Sequence, residues 1–233
     1  MVDYYIDQED VLTDFFRTYM TDPRGRIEND GNYLTVSNTN QKEFPVPPVS
    51  GSISCITGVA VNSINKVKWV DYFWDYQNSK IVFYEGQTLG HPVNILYKYG
   101  STNWIYSDRP DEDLSATSFP RISLFTVGGS GNKIGNYQAK TDSRPVIQID
   151  CWARNGQVFT IDDKKYSNEY LGRYLGNKLI QVLQDNEEQL HGIFFDYDIV
   201  STPRGAGYSE EYMAHHTVVE IRVKGLNLGR IQK

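Results

Sequence analysis

Only two stretches of this 233-residue chain repeat apolar side chains at the period of an α-helix, and that shortage of helix constrains the fold more than any motif does. The first runs from Gln8 to Met20, where Val11, Leu12, Phe15, Phe16 and Tyr19 recur at helical spacing and Asp7 stands ready to cap. Thr21-Asp22-Pro23-Arg24-Gly25 ends it, since proline and glycine both break the pattern. The second starts at Ser167, a capping residue by type, and reaches about Asn186. Tyr170, Leu171, Tyr174, Leu175, Lys178, Leu179, Val182 and Leu183 form its stripe. Gly172 and Gly176 lie four apart on it. Each costs about 1 kcal/mol against alanine in a helix interior, so the pair points to close approach of a neighbouring element.

Everything else reads as strand, turn or extended chain. Residues 27–50 are rich in Asn, Thr, Pro and Gly, and Phe44-Pro45-Val46-Pro47-Pro48 excludes helix, so this stretch reads as an extended linker or arm. Residues 51–100 read as a small all-β domain: apolar runs at Ile53–Ile64, Lys66–Trp74, Lys80–Tyr84 and Pro92–Tyr99, separated by polar turns, have the spacing of a sandwich or small barrel. Strands then fall at Pro120–Val127 and Arg144–Ala153 around a glycine-rich loop, Gly128–Gly135. The later strand alternates Val146, Gln148 and Asp150 against Ile147, Ile149 and Cys151. His191–Thr202 and Glu211–Lys224 close the chain, joined by the turn Pro203-Arg204-Gly205-Ala206-Gly207. With 51–100 set aside as an insert, the order is α-β-β-α-β-β. That order predicts an α+β domain, made from 1–26 and 101–233, with two helices laid on an antiparallel sheet.

Charge and cysteine content narrow the function. A net charge of −6 argues against wrapping DNA, which needs a clustered basic surface. Cys55 and Cys151 are too few and too far apart for a disulfide framework or a zinc site, and read as buried free thiols. Met1–Asp10 carries acids and no apolar run, and no stretch approaches a membrane span, so the expectation is a soluble protein made in a reducing compartment. Aromatic residues reach 13%, with 17 tyrosines, a usage that suits half-buried strands and protein–protein contacts.

A search for chemistry yields no site. His215 and His216 are adjacent on a strand and so point to opposite faces, which opposes a shared metal, and His91 and His191 stand alone. In the glycine-rich loop Lys133 is followed by Ile134 rather than Ser or Thr, and a strand rather than a helix follows, so it is no phosphate loop. Asp108, Asp111, Glu112 and Asp113 lack calcium-loop spacing and read as a solvated linker. Ser143 and Ser167 lie in no nucleophile-elbow motif. No nucleophile, base and orienting group come together, so the chain reads as a non-enzyme without cofactor or metal.

Residues of about 104–224 resemble the tail terminator (tail completion) proteins of tailed viruses. The resemblance rests on Phe119-Pro120-Arg121-Ile122-Ser123-Leu124, on Pro145-Val146-Ile147-Gln148-Ile149-Asp150-Cys151-Trp152-Ala153, on the helix Tyr170–Val182 and on the paired closing strands. Asn103-Trp104-Ile105-Tyr106-Ser107-Asp108-Arg109-Pro110 before the Pro-Arg-Ile strand is similar to versions from archaeal tailed viruses and some phages. The strand-rich 51–100 insert departs from the minimal family pattern. The resemblance implies a structural virion protein of the neck, assembled in the host cytoplasm. It would form a homo-oligomeric ring, usually a hexamer, that ends tail-tube growth and joins the tail to the head connector. Its partners would be itself, the tube protein and the connector, with DNA only passing through the lumen and no membrane. On this reading the hairpin tip Gly128, Gly129, Ser130, Gly131, Asn132, Lys133, Ile134 and Gly135 meets the tube. The rivals are a head–tail adaptor ring and a carbohydrate- or receptor-binding module that uses Trp69, Tyr72, Trp74 and Tyr84 as a stacking face.

Overall fold

The computed structural model describes residues 8–47, 51–68, 70–75, 77–107, 116–133 and 141–226. The fold is mixed α+β, mostly antiparallel sheet with few helices. The chain divides into two compact units, one drawn from Met1–Arg24 and Trp104–Asn227, the other from Gly25–Asn103.

Helix α1 (Gln8–Tyr19) opens the first unit. Its apolar stripe buries Val11, Leu12, Phe15 and Phe16. The expected cap, Asp7, lies outside the described residues.

The chain then builds the second unit from β1 (Ile27–Thr35), β2 (Gln41–Pro45), β3 (Ser52–Val61), β4 (Ile64–Lys66), β5 (Tyr72–Asp75), β6 (Lys80–Gln87) and β7 (Pro92–Gly100). They form a four-stranded sheet in the order β1-β7-β3-β4 and a three-stranded one in the order β2-β6-β5. One core joins the two sheets: Val59, Val61, Val93, Ile95 and Tyr97 from the first, Phe44, Tyr72, Trp74, Ile81 and Phe83 from the second. The reading of 27–50 as a linker is therefore corrected. Ile27–Thr35 pairs with β7 along its whole length, and Phe44 faces Ile81 across the β2–β6 ladder. Gly100 stands between Ile27 and Ser52, and a Cβ there would overlap the Arg26 carbonyl oxygen.

The first unit continues with β8 (Ile105–Tyr106), a 3₁₀ turn at Ala116–Ser118, β9 (Arg121–Lys133), β10 (Thr141–Arg154), β11 (Val158–Ile161) and β12 (Lys164–Ser167). Helices α2 (Asn168–Asp185) and α3 (Glu187–Ile193) and strands β13 (Phe194–Ser209) and β14 (Ala214–Leu226) follow. The main sheet runs β13-β14-β10-β9-β8, antiparallel except at β8–β9, while β11 and β12 make a separate hairpin. The first closing strand begins later than the sequence pattern suggests, because the short helix α3 comes first. Pro203–Gly207 is not a turn but part of β13, accommodated by three register shifts.

Helix α2 lies on the sheet through its two glycines. A Cβ at Gly172 would sit 2.9 Å from Thr217 Oγ1 and 3.3 Å from the Cys151 carbonyl oxygen, and one at Gly176 would sit 2.9 Å from Pro203 Cβ. Ser167 is extended and its side chain makes no capping bond, whereas Asn168 Oδ1 accepts the Gly156 N–H at 3.1 Å. Beneath the helix the Thr217 hydroxyl is fully buried with no hydrogen-bond partner. A buried hydroxyl without a partner costs about 1–3 kcal/mol, so Thr217→Val, which keeps the shape, is expected to raise unfolding stability by about 1 kcal/mol. Urea titration of the two proteins checks this, and a stability loss would show that the hydroxyl is satisfied in solution.

Candidate assembly surface and the polar sheet face

The residues singled out in the sequence, Gly128–Gly135, begin inside a strand. Gly128 through Lys133 pair in register with Val146 back to Thr141, so the hairpin is longer than the pattern indicated. Every residue but proline brings a backbone donor and acceptor whatever its side chain, which is why a run of glycines, serine and asparagine can carry a ladder, with Pro145 opposite Gly129 as its one residue without an N–H. Ile134 and Gly135 lie outside the described residues.

Two features set this part of the hairpin apart. Strand β14 pairs with β10 only from Val146 onward, and β8 pairs with β9 only at Ile122 and Ser123. Beyond Gly128 and Val146 the described hairpin thus has two strands, where the sheet behind it has more. The register also shifts between Val146 and Ile147, which leaves Val127 as the extra residue at the base. A bulge bends its strand and increases the local twist, so it re-aims the ribbon as it leaves the sheet. Val127 is exposed there, and the neighbouring Thr126 N–H donates to Glu9 Oε1 of α1, which ties the base to the helix.

The main sheet turns two unlike faces outward from its plane. Ile122, Leu124, Ile147, Ile149, Cys151, Val219 and Ile221 form the apolar face, which carries α2. Burial and the neighbouring Asp150 charge push the Cys151 thiol well above its ordinary range, which favours the neutral thiol. The opposite face is polar yet buried: Arg121, Ser123, Asp150 and Trp152 are all under a tenth exposed. Arg121 donates from Nε to Ser123 Oγ at 3.1 Å and its guanidinium lies 3.8 Å over the Tyr106 ring. Asp150 accepts from Gln148 Nε2 at 2.8 Å, and its other oxygen is 3.9 Å from His216 Nδ1. The imidazole of His216 stacks on Trp152 at 4.5 Å, and Tyr212 meets the other side of the cluster edge-on to Trp152. His215 points the other way, toward Tyr208. The two histidines do not share a site.

Alternation in β10 pointed to Gln148 and Asp150 sharing a face, but their cross-strand neighbours Ser123 and His216 follow only from register. Gln148 and Asp150 hold one another and Arg121 holds Ser123, whereas His216 Nδ1 is buried without a hydrogen-bond partner among the described residues.

Other residues marked in the sequence lie elsewhere. Tyr72 and Trp74 are core residues, 2% and 4% exposed, and pack with Phe83, so neither can stack on a sugar at the surface. Tyr84 lies against Phe73, and Trp69 falls outside the described residues. Asp108, Asp111, Glu112 and Asp113 do too. Cys55 and Cys151 are free and buried. Among the described residues no helix is long and apolar enough to cross a membrane. No protein-family model, curated protein or solved structure matches this chain.

Proposed function

We propose that this chain is a structural protein of a tailed-virus neck, a tail terminator that closes into a ring, ends the tail tube and joins it to the head connector. In this reading α1, β9, β10, α2, β13 and β14 make the α-β-β-α-β-β frame, to which β8, the β11–β12 hairpin and α3 are additions, with 25–103 inserted after the first helix. The single observation that carries the proposal is the two-stranded ribbon of β9 and β10. An isolated two-stranded ribbon is marginally stable in water, so one that projects past its sheet needs a surface to lie on. In a ring protein that surface is a neighbouring subunit or the last ring of the tube. A heterologous contact whose rotation closes gives cyclic symmetry, and a net charge of −6 lets DNA pass a lumen without a cationic hold.

The test removes the ribbon. Deleting 130–143 and joining the ends with a short glycine linker is expected to leave subunits folded and ring-forming but unable to cap tubes of the cognate tube protein. Electron microscopy of mixed assemblies reads the result. Tubes that stop growing equally well with the deleted protein would remove this role for the ribbon. Binding to the portal-side ring in place of the tube would assign the chain to the adaptor class instead.

A further inference from the structure

We propose that β1 is a self-pairing edge, through which two copies of the chain join antiparallel about Gly31 to make one continuous eight-stranded sheet. Free sheet edges present unpaired N–H and C=O groups, and proteins usually blunt them with shortness, proline, lysine or bulges. The other outermost strands of the three larger sheets are treated in this way. Strand β4 has three residues, β8 two and β5 four. Strand β2 is short, ends in Pro45 and has a register shift, and β13 carries Pro203 and three shifts. Strand β1 is nine residues long, keeps one unbroken register with β7 and holds neither proline nor lysine.

Its sequence also favours a second copy as the occupant. Centred on Gly31, the antiparallel register sets Asp30 of one copy opposite Asn32 of the other, Glu28 opposite Leu34 and Asn29 opposite Tyr33. No carboxylate meets a carboxylate directly. Moving the centre to Asp30 would place two aspartates face to face, which is destabilising. Within its own chain Glu28 is already held by the Tyr99 hydroxyl at 2.8 Å, and Asp30 receives the Tyr97 hydroxyl at 3.4 Å on one oxygen and the Gly31 N–H at 2.7 Å on the other, a local bond that pairing about Gly31 has to displace. The opposite side of the strand mixes polar Asn29, Lys98 and Asn94 with exposed apolar surface. Tyr33 is 76% exposed and Leu96 44%, and Leu96 leans over Gly31, where a Cβ would lie 3.0 Å from its Cδ2. Pairing about Gly31 brings the two Leu96 side chains to flank a lane of two glycines, with a tyrosine closing each end. That covers surface which a single copy leaves to water.

The pairing uses residues of 25–103 alone and does not depend on the ring reading. To test it, full-length chains carrying Asn29→Cys and Tyr33→Cys are treated with a short thiol-bridging reagent, separately and mixed. The native thiols are buried and do not compete. A covalent dimer is expected in the mixture and not in either variant alone. No dimer in the mixture, or equal yield in all three samples, overturns the proposal. The double variant Asn29→Glu/Tyr33→Glu sets carboxylate opposite carboxylate between copies at exposed positions, while within each chain residue 29 faces Lys98, so the subunit stays folded, as circular dichroism will show. Sedimentation is expected to show the wild-type mass doubling with concentration, from one chain to two or from one ring to two, and the double variant losing that doubling. An unchanged profile in the double variant overturns the proposal as well.

Discussion

Phe44→Ala is expected to destabilise the second unit by about 3–5 kcal/mol, the usual cost of emptying a phenylalanine site in a core that cannot collapse around it. Phe44 is 1% exposed, meets Phe83 edge-to-face at 5.5 Å and fills the space between two sheets. Its backbone belongs to an edge strand of five residues, and Val46 is the other side chain that this segment buries in the core. Urea unfolding followed by fluorescence reports it directly, because Trp74 lies in the same core. With two compact units the chain has no reason to unfold in one step, and the shift belongs to the transition that exposes Trp74. A loss under about 1 kcal/mol would mean that Phe44 is not a core residue.

Gly176→Val is expected to cost about 3 kcal/mol, at the upper end for overpacking a tight contact. The first added carbon meets the Pro203 ring, which cannot rotate away, and Thr217 Cγ2 is 3.4 Å from the same point. Gly176→Ala separates the opposing effects. Alanine gains about 1 kcal/mol of helix propensity, so a net loss in that variant measures how closely α2 must lie on the sheet. Gly172→Val should behave in the same way, since Thr217 Oγ1 and the Cys151 carbonyl stand where its side chain would go. If both valine variants match wild type in thermal and urea unfolding, α2 does not rest on β14 as described.

The two long helices were legible in the sequence because burial on one side of a 3.6-residue period leaves a mark that needs no knowledge of neighbours, while the two-turn α3 is too short to show that period. The glycine pair on α2 was legible for a related reason, since nothing local accounts for two helix-weakening residues four apart. What sequence reasoning missed lies at strand edges. In β1 the inner-facing positions include Glu28 and Asp30, satisfied by tyrosine hydroxyls from β7, so the apolar alternation is hidden and Asp30-Gly31 looks like a turn. Pro45 reads as a breaker, but an edge strand can hold proline where no ladder bond is required. Pro203 and the glycines around it likewise sit in a bulged edge. The ribbon at Gly128–Lys133 escaped notice as strand because its residues offer little to pack, although their backbone pairs fully. The Asp150, His216 and Trp152 cluster needed cross-strand register, which no single segment contains.

The second unit starts and finishes at one place. Ile27 stands across from Gly100 in the β1–β7 ladder, and the glycine is required there because Arg26 leaves no room for a side chain. For the first unit, residues 25–103 are a single large loop, and bringing the ends of so long a flexible segment together would cost about 4 kcal/mol of chain entropy. Folding of β1 against β7 closes that loop in advance. The two units are thereby linked through the entropy of the chain: melting the sandwich releases its ends, and the contacts that hold α1 to the sheet, such as Arg17 on the Ile105 carbonyl, must then close the loop alone.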